Sequence, residues 1–162
     1  MKEITYINIS KLLDKNCDIE NFITEADLLM KEKYPNYEQW FLEKVIPGLI
    51  TKKRNIIIAY KNNKIVGYAN LKNENEKVIS NLYVKPGFDQ KRIWNSIIDE
   101  SINWLETYNP KIIISNEYVG YYMSYIMARD WNLTNIKNND IIFNGKGNEF
   151  ERLIYKKKLL KK

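Results

Sequence analysis

The chain contains no histidine and a single cysteine, Cys17, in 162 residues. One cysteine cannot form an internal disulfide framework, and the lack of histidine removes Cys/His zinc sites and every Ser-His or Cys-His nucleophilic pair. Acid–base chemistry must then fall to Glu, Asp, Tyr, Lys, ordered water or the substrate itself. Cys17 stands at the start of a helical pattern with nothing to activate it, so a structural role is expected. No stretch offers the ~18 apolar residues of a membrane helix, and the first residues lack the ~7–15 residue apolar core of a signal peptide. A cytoplasmic protein without membrane contact is expected, and no metal site. Internal repeats and low-complexity segments are missing too.

What is present suits one folded domain. The hydrophobic fraction of 44% and aromatic fraction of 13% supply a full-sized core, and domains usually hold ~100 to 150 residues. A single domain over residues 1–155 is expected, followed by a basic tail, 156–162. Five of the six surplus positive charges sit in that tail, at Lys156, Lys157, Lys158, Lys161 and Lys162, leaving the body near +1. So placed, the charge describes a solvated chain end, and nucleic acid is not expected as a partner.

Taken in order, residues 4–9 read as a first strand through Ile4, Tyr6, Ile7 and Ile9. Asp18 is placed as an N-cap before a helix whose apolar residues, Ile19, Phe22, Ile23, Ala26, Leu29 and Met30, fall at helical spacing. Tyr34-Pro35-Asn36 interrupts it, and Tyr37, Trp40, Phe41 and Val45 predict a second helix closed by Pro47-Gly48. Strands over 55–60 and 65–71, joined at Asn62-Asn63, predict an antiparallel hairpin, with Gly67 marking a bulge or a close approach. A strand over 78–84 and a helix carrying Ile93, Trp94, Ile97, Ile98, Ile102 and Leu105 follow. Asn109-Pro110 is expected to end that helix before a strand over 111–115, and strand–helix–strand of this length demands a parallel pair. Residues 119–129 predict another helix, with Trp131-Asn132-Leu133 after it. Residues 140–143 and 149–155, around Asn144-Gly145-Lys146-Gly147, predict a closing hairpin. The fold class is mixed α/β: a mostly antiparallel sheet of about six to seven strands, the fourth and fifth parallel, with helices on both faces.

The centre of this order is the stretch 77–107, strand then tight loop then helix, where free first-turn amides and the positive end of the helix dipole can cradle a phosphate. Leu82-Tyr83-Val84, Pro86 and Phe88, followed by Asp89-Gln90-Lys91-Arg92-Ile93-Trp94, resemble the central motif of the GCN5-related N-acetyltransferases, the GNAT superfamily. The hairpin's aliphatic-Ala-Tyr, polar turn, Ile-Val-Gly-aromatic-Ala pattern is similar to that family's second and third strands. The likeness covers about residues 1–155. Arg92 and Trp94 stand where the family has glycine, and Asp130-Trp131 where it ends a helix in Gly-Phe or Gly-Trp. Asp89 is readable simply as an N-cap, with Lys91 and Arg92 solvated.

The resemblance implies an acyltransferase that moves an acetyl group from acetyl-CoA to a primary amine, on a small molecule or peptide, by direct transfer in a ternary complex. It implies that backbone groups of Leu82, Tyr83 and Val84 hold the pantetheine arm. It further implies that Gln90, Lys91, Arg92, Ile93, Trp94 and Asn95 hold the diphosphate, with Asn116 and Glu117 lining the cleft. Tyr125, or Tyr122 beside it, becomes the proton donor to the leaving thiolate, and Glu76 the base for the amine. A strand amide near Tyr83 or Val84 can polarise the carbonyl. Tyr34, Tyr37 and Trp40, which read first as core, fall in the family's acceptor wall. A homodimer is compatible with this reading. The alternative is a non-catalytic binding module of the same fold that has lost coenzyme A with the loop glycines.

Overall fold

The computed structural model describes residues 3–32, 37–87, 89–107, 109–137 and 140–144. The chain runs through Thr5–Asn8 (β1), Ile9–Asp14 (α1), Glu20–Lys31 (α2), Tyr37–Trp40 (α3), Ile46–Thr51 (α4), Arg54–Lys61 (β2), Lys64–Asn73 (β3) and Lys77–Val84 (β4). It continues through Gln90–Leu105 (α5), Lys111–Ser115 (β5), Asn116–Ala128 (α6), Asn132–Lys137 (β6) and Asp140–Asn144 (β7). A π-helical turn, Phe41–Val45, joins α3 to α4. Among the described residues, seven strands form one sheet in the order β1-β2-β3-β4-β5-β7-β6. Only β4 and β5 pair in parallel, and α5 is the crossover between them.

Both faces of the sheet are covered, so β2 and β3 read as nearly continuous apolar runs. Ile56, Ile58 and Tyr68 point into a core with Ala26 and Met30 of α2 and with Tyr37, Phe41, Val45 and Leu49. Ile57, Ala59, Ala69, Leu71, Ile79, Leu82 and Val84 point the other way, against Ile93, Trp94, Ile97, Ile98 and Leu105 of α5 and against α6. The predicted α5 stripe is buried as expected, with Ile102 partly so. Both readings of Gly67 hold. Pairing slips beside it, from Ala59 with Gly67 to Tyr60 with Ile65. A Cβ there would also lie 2.6 Å from Ile97 and 2.7 Å from Ile93. Asn62 and Asn63 turn the hairpin with φ of 53° and 60°, the left-handed pair that a two-residue turn needs.

Several expectations are corrected. The first strand stops at Asn8, because the Asn8 side chain accepts the Lys11 N–H and caps α1, a helix that period-2 reading of 4–9 hid. The N-cap position of α2 falls on Ile19, not Asp18, whose carboxylate lies one residue earlier and accepts the Glu20 N–H at 2.9 Å. Pro47-Gly48 does not close the second helix: the π turn widens the spiral, Ile46 N–H bonds to Phe41 O, and the chain stays helical until Lys52 turns left-handed at φ 63°. Helix α5 ends at Leu105 on left-handed Glu106, ahead of Asn109-Pro110. Helix α6 begins at Asn116, three residues before the expected 119. Among the described residues β7 pairs with β6 on one edge and β5 on the other. Residues 145–162, including the expected strand over 149–155 and the basic tail, lie outside the described residues, as do Tyr34-Pro35-Asn36 and Phe88.

Candidate active site

The site arises where β4 leaves β5. The two strands pair only at Val78 with Lys111 and Ile79 with Ile112. Beyond this, Asn81 adopts φ 51° and the β3–β4 register slips between Tyr68 and Asn70, a bulge that bends the rest of β4. Lys85 N–H still bonds to Val66 O, so β4 stays attached to β3 while it parts from β5. The parting opens toward the carboxyl ends of both strands, where α5 and α6 begin.

At this end the Val84 backbone turns to side chains. Its N–H donates to the Tyr122 hydroxyl at 2.9 Å, and its carbonyl accepts from Gln90 Nε2 at 3.4 Å. Gln90 Oε1 in turn accepts from the Tyr125 hydroxyl at 3.4 Å. The structure thus brings together Leu82, Val84, Gln90, Tyr122 and Tyr125 from three elements. Tyr122 is buried, and loss of solvent pushes its phenol well above the ordinary value. A phenol so shifted is a poor acid toward a thiolate, whose conjugate thiol has a pKa of about 8.5. Tyr125 is half-buried beside it and reaches the start of α5, which makes it the better placed donor.

Lys91 and Arg92 are exposed on the first turn of α5, with Lys85 exposed on the loop. Asp89 occupies the N-cap position without capping. Its carboxylate pairs with Lys61 at 3.0 Å, which holds it below the usual carboxylate range and cancels its charge at the loop. The Lys61–Asp89 pair and Gly87 border an open cavity of about 140 Å³. Asp89 through Asn95 include no left-handed backbone, so none of these positions needs glycine for its φ; the loop's own glycine, Gly87, sits at φ 154°. The Arg92 side chain points to solvent and Trp94 points inward. The first turn of α5 with Lys91 and Arg92 therefore fits a diphosphate despite the missing glycines.

Trp94 is fully buried, with its ring centroid 5.5 Å from that of Tyr125, 6.2 Å from Tyr122 and 5.2 Å from Trp131. Its indole N–H is buried without a partner. Arg129 lies over the ring and binds Asn95 Oδ1 at 2.9 Å and Asp99 at 2.7 Å, so the Asn95 side chain fastens α6 to α5. Asn116 and Glu117 are exposed at the start of α6, at the mouth of the parting. Glu76 is not brought to the site. It precedes the closed end of β4, bound to Lys111 at 3.2 Å, roughly 26 Å of extended chain from Val84. Cys17 follows α1, which packs on β1 and β2.

On the other face, Tyr83 meets Tyr118 of α6 edge-on at 6.5 Å. Tyr37 is buried and its hydroxyl bonds that of Tyr68 at 2.6 Å, while Trp40 lies under the Arg54 guanidinium. Asn70 Nδ2 reaches Asn81 Oδ1 at 3.2 Å. Sequence reading missed Tyr68, Asn70, Asn81 and Lys61. An asparagine inside the otherwise apolar run Gly67-Tyr68-Ala69-Asn70-Leu71 was the available signal. Among the described residues, no helix is long and apolar enough to cross a membrane, and no three His, Cys, Asp or Glu side chains form a metal-holding group.

No protein-family model and no curated protein matches the chain. Solved structures do. A GNAT-family acetyltransferase from Staphylococcus aureus aligns at TM-score 0.62 and 14% identity, over 90% of this chain and 99% of that one. The PaiA N-acetyltransferase of Thermoplasma acidophilum, in complex with coenzyme A, aligns at 0.56 and 17%, over 90% and 99%. The Campylobacter jejuni N-acetyltransferase PseH, in complex with acetyl coenzyme A, aligns at 0.54 and 14%, over 89% and 99%. The chain has the GNAT acetyltransferase fold: a seven-stranded mixed sheet whose one parallel pair is β4–β5.

Proposed function

We propose that the protein is an N-acetyltransferase that passes an acetyl group from acetyl-CoA directly to a primary amine within a ternary complex. The observation that carries this is the parting of β4 from β5 beside an anion-receptive helix start, with Lys91 and Arg92 on its rim. Acetyl-CoA supplies an activated acyl group to such a site. Lys91, Arg92 and the first-turn amides of α5 bind its diphosphate, with no help from the neutralised Asp89. Backbone groups of Leu82, Tyr83 and Val84 orient the arm, and the Val84 N–H, which donates to the Tyr122 hydroxyl in the free protein, leaves it to stabilise oxyanion charge. Tyr125 gives its proton to the departing thiolate. Direct transfer agrees with the chain's single cysteine, Cys17, being exposed in the loop after α1, which packs on β1 and β2. Fold likeness by itself does not carry activity, and the coenzyme A complexes of two neighbours support the reading by analogy.

Thermal melting tests it. At ~100 times its dissociation constant, acetyl-CoA should stabilise the protein by about 2.7 kcal/mol. Arg92→Glu should cut that shift without lowering the ligand-free Tm by more than a degree or two. An unchanged shift in Arg92→Glu would move the diphosphate elsewhere. One observation favours a second reading: Trp94, Tyr122 and Tyr125 pack closely beneath the parting, and Tyr122 holds the Val84 N–H. A non-catalytic module of this fold would show no shift at millimolar acetyl-CoA.

A further inference from the structure

A second cavity lies at the opposite end of the sheet from the parting. Arg54 opens β2 directly opposite Lys72 of β3, and Lys72 in turn pairs with Val78, roughly 20 Å of extended strand from Val84. Arg54 shares the sheet face of Ile56 and Ile58, the face that α3 and α4 cover. Its stem lies along Gly48, where a Cβ would come within 2.6 Å of the Arg54 Cγ and Cδ, and its guanidinium sits 5.6 Å from the centre of the Trp40 ring. The bare backbone at Gly48 and the Trp40 ring thus fix where the guanidinium is presented, beside an open cavity of about 450 Å³. Small-molecule sites commonly enclose ~300–1,000 Å³.

The charges around this cavity do not balance. Lys44, Lys53, Arg54 and Lys72 line it against only two carboxylates, Glu43 and Glu74, a surplus of two positive charges. Glu74 lies 3.7 Å from Lys72, and Glu43 accepts from Gln39. Among the described residues, Lys44, Lys53 and Arg54 form no ion pair. Like charges set directly opposite across two strands destabilise a sheet, and burial works against the Arg54 charge, lowering its pKa although Glu74 opposes the drop. An anion between Arg54 and Lys72 turns that repulsion into attraction. The planar guanidinium donates two parallel hydrogen bonds, which phosphate oxygens match. A phosphate group also carries close to two negative charges near neutral pH, equal to the surplus, whereas a carboxylate carries one and an ammonium meets like charge.

We propose that this cavity is a second binding site, for a dianionic phosphate group held by the Arg54 guanidinium with Lys44, Lys53 and Lys72 around it. The site stands apart from the first turn of α5 and does not depend on the transferase reading. The probes are sodium phosphate and phenyl phosphate at about pH 8, where both are dianions. Each is titrated in thermal melts, in a phosphate-free buffer, against sodium chloride of matched ionic strength, and acetyl-CoA is titrated separately. Wild-type protein should gain a saturable rise in Tm from both probes. Tighter binding of phenyl phosphate assigns the site to a phosphorylated small molecule, and equal binding to the free ion. Arg54→Gln should weaken both about tenfold to a hundredfold, as loss of a charged hydrogen-bond partner does, and keep the acetyl-CoA shift. Lys44→Gln, at an exposed position, should weaken them too and decides the matter if Arg54→Gln fails to melt cooperatively. No saturable rise beyond that of sodium chloride overturns the proposal. So does equal stabilisation of wild type and variants, which would put the anion at α5 or elsewhere. A wild type stabilised by phosphate but not by acetyl-CoA would leave this site standing and remove the transferase reading.

Discussion

Three tyrosines carry more of this molecule's chemistry than their frequency in the sequence suggests. Tyr37, Tyr68 and Tyr122 are buried, and desolvation is the first cause of the raised pKa of each. Their native values lie above the unfolded value near 10, so between about pH 10 and 12 the folded chain keeps protons that the unfolded chain gives up. The stability they contribute is whole below about pH 10 and declines as pH rises, by roughly 1.4 kcal/mol per pH unit for each group. Urea midpoints between about pH 8 and 11 should show that decline, and Tyr122→Phe should make it shallower by one group's share. A slope identical in the variant would mean that Tyr122 ionises in the native state. Glycine replacement follows residue logic too. Arg92 and Trp94 stand where the resembling family has glycine, which serves both backbone freedom and space, and letters cannot separate the two. In the folded chain neither position is left-handed, and their side chains leave the loop in opposite directions.

At the scale of elements, the bulge in β4 matters most, because it converts a paired strand into one side of a cleft. Asn81 at φ 51° is tolerable for asparagine and strained for a β-branched residue. Asn81→Val should cost about 1–3 kcal/mol, through φ strain and the lost Asn70 bond, and should also reduce stabilisation by acetyl-CoA. Asn81→Gly should keep the acetyl-CoA shift; equal loss in both variants would show that the side chain, not the bulge, matters. Sequence periodicity identified β2, β3, β4, α5 and β5, whose apolar patterns are strong on two-sided surfaces. It missed α1, since four residues of strand run straight into six of helix, and the cap at Asn8 carries the only signal. It missed β6, whose six residues are all exposed, so burial writes no alternation into Asn132-Leu133-Thr134-Asn135-Ile136-Lys137. It stopped a helix at Pro47 because a π turn has no signature in single-residue propensities.

For the whole molecule, order of elements proved more legible than any motif. Strand–helix–strand around residues 77–115 implied the parallel pair, and the chain aligns with solved acetyltransferase structures along about 90% of its length at identities of only 10–20%. The two sides of the proposed site differ in legibility. The stretch proposed for the cofactor is continuous, so its residues could be proposed from the sequence. On the other face, Tyr37, Tyr68, Asn70 and Asn81 come from three elements, which only the fold brings together. Both sides meet at the parted end of β4, and hydrogen–deuterium exchange with and without acetyl-CoA examines that place most directly. Exchange should slow at the free first-turn amides of α5, Lys91 and Arg92, and at Val84, and stay unchanged in β1. Slowing confined to other elements, or none at saturating acetyl-CoA, would contradict a thioester site between β4 and β5.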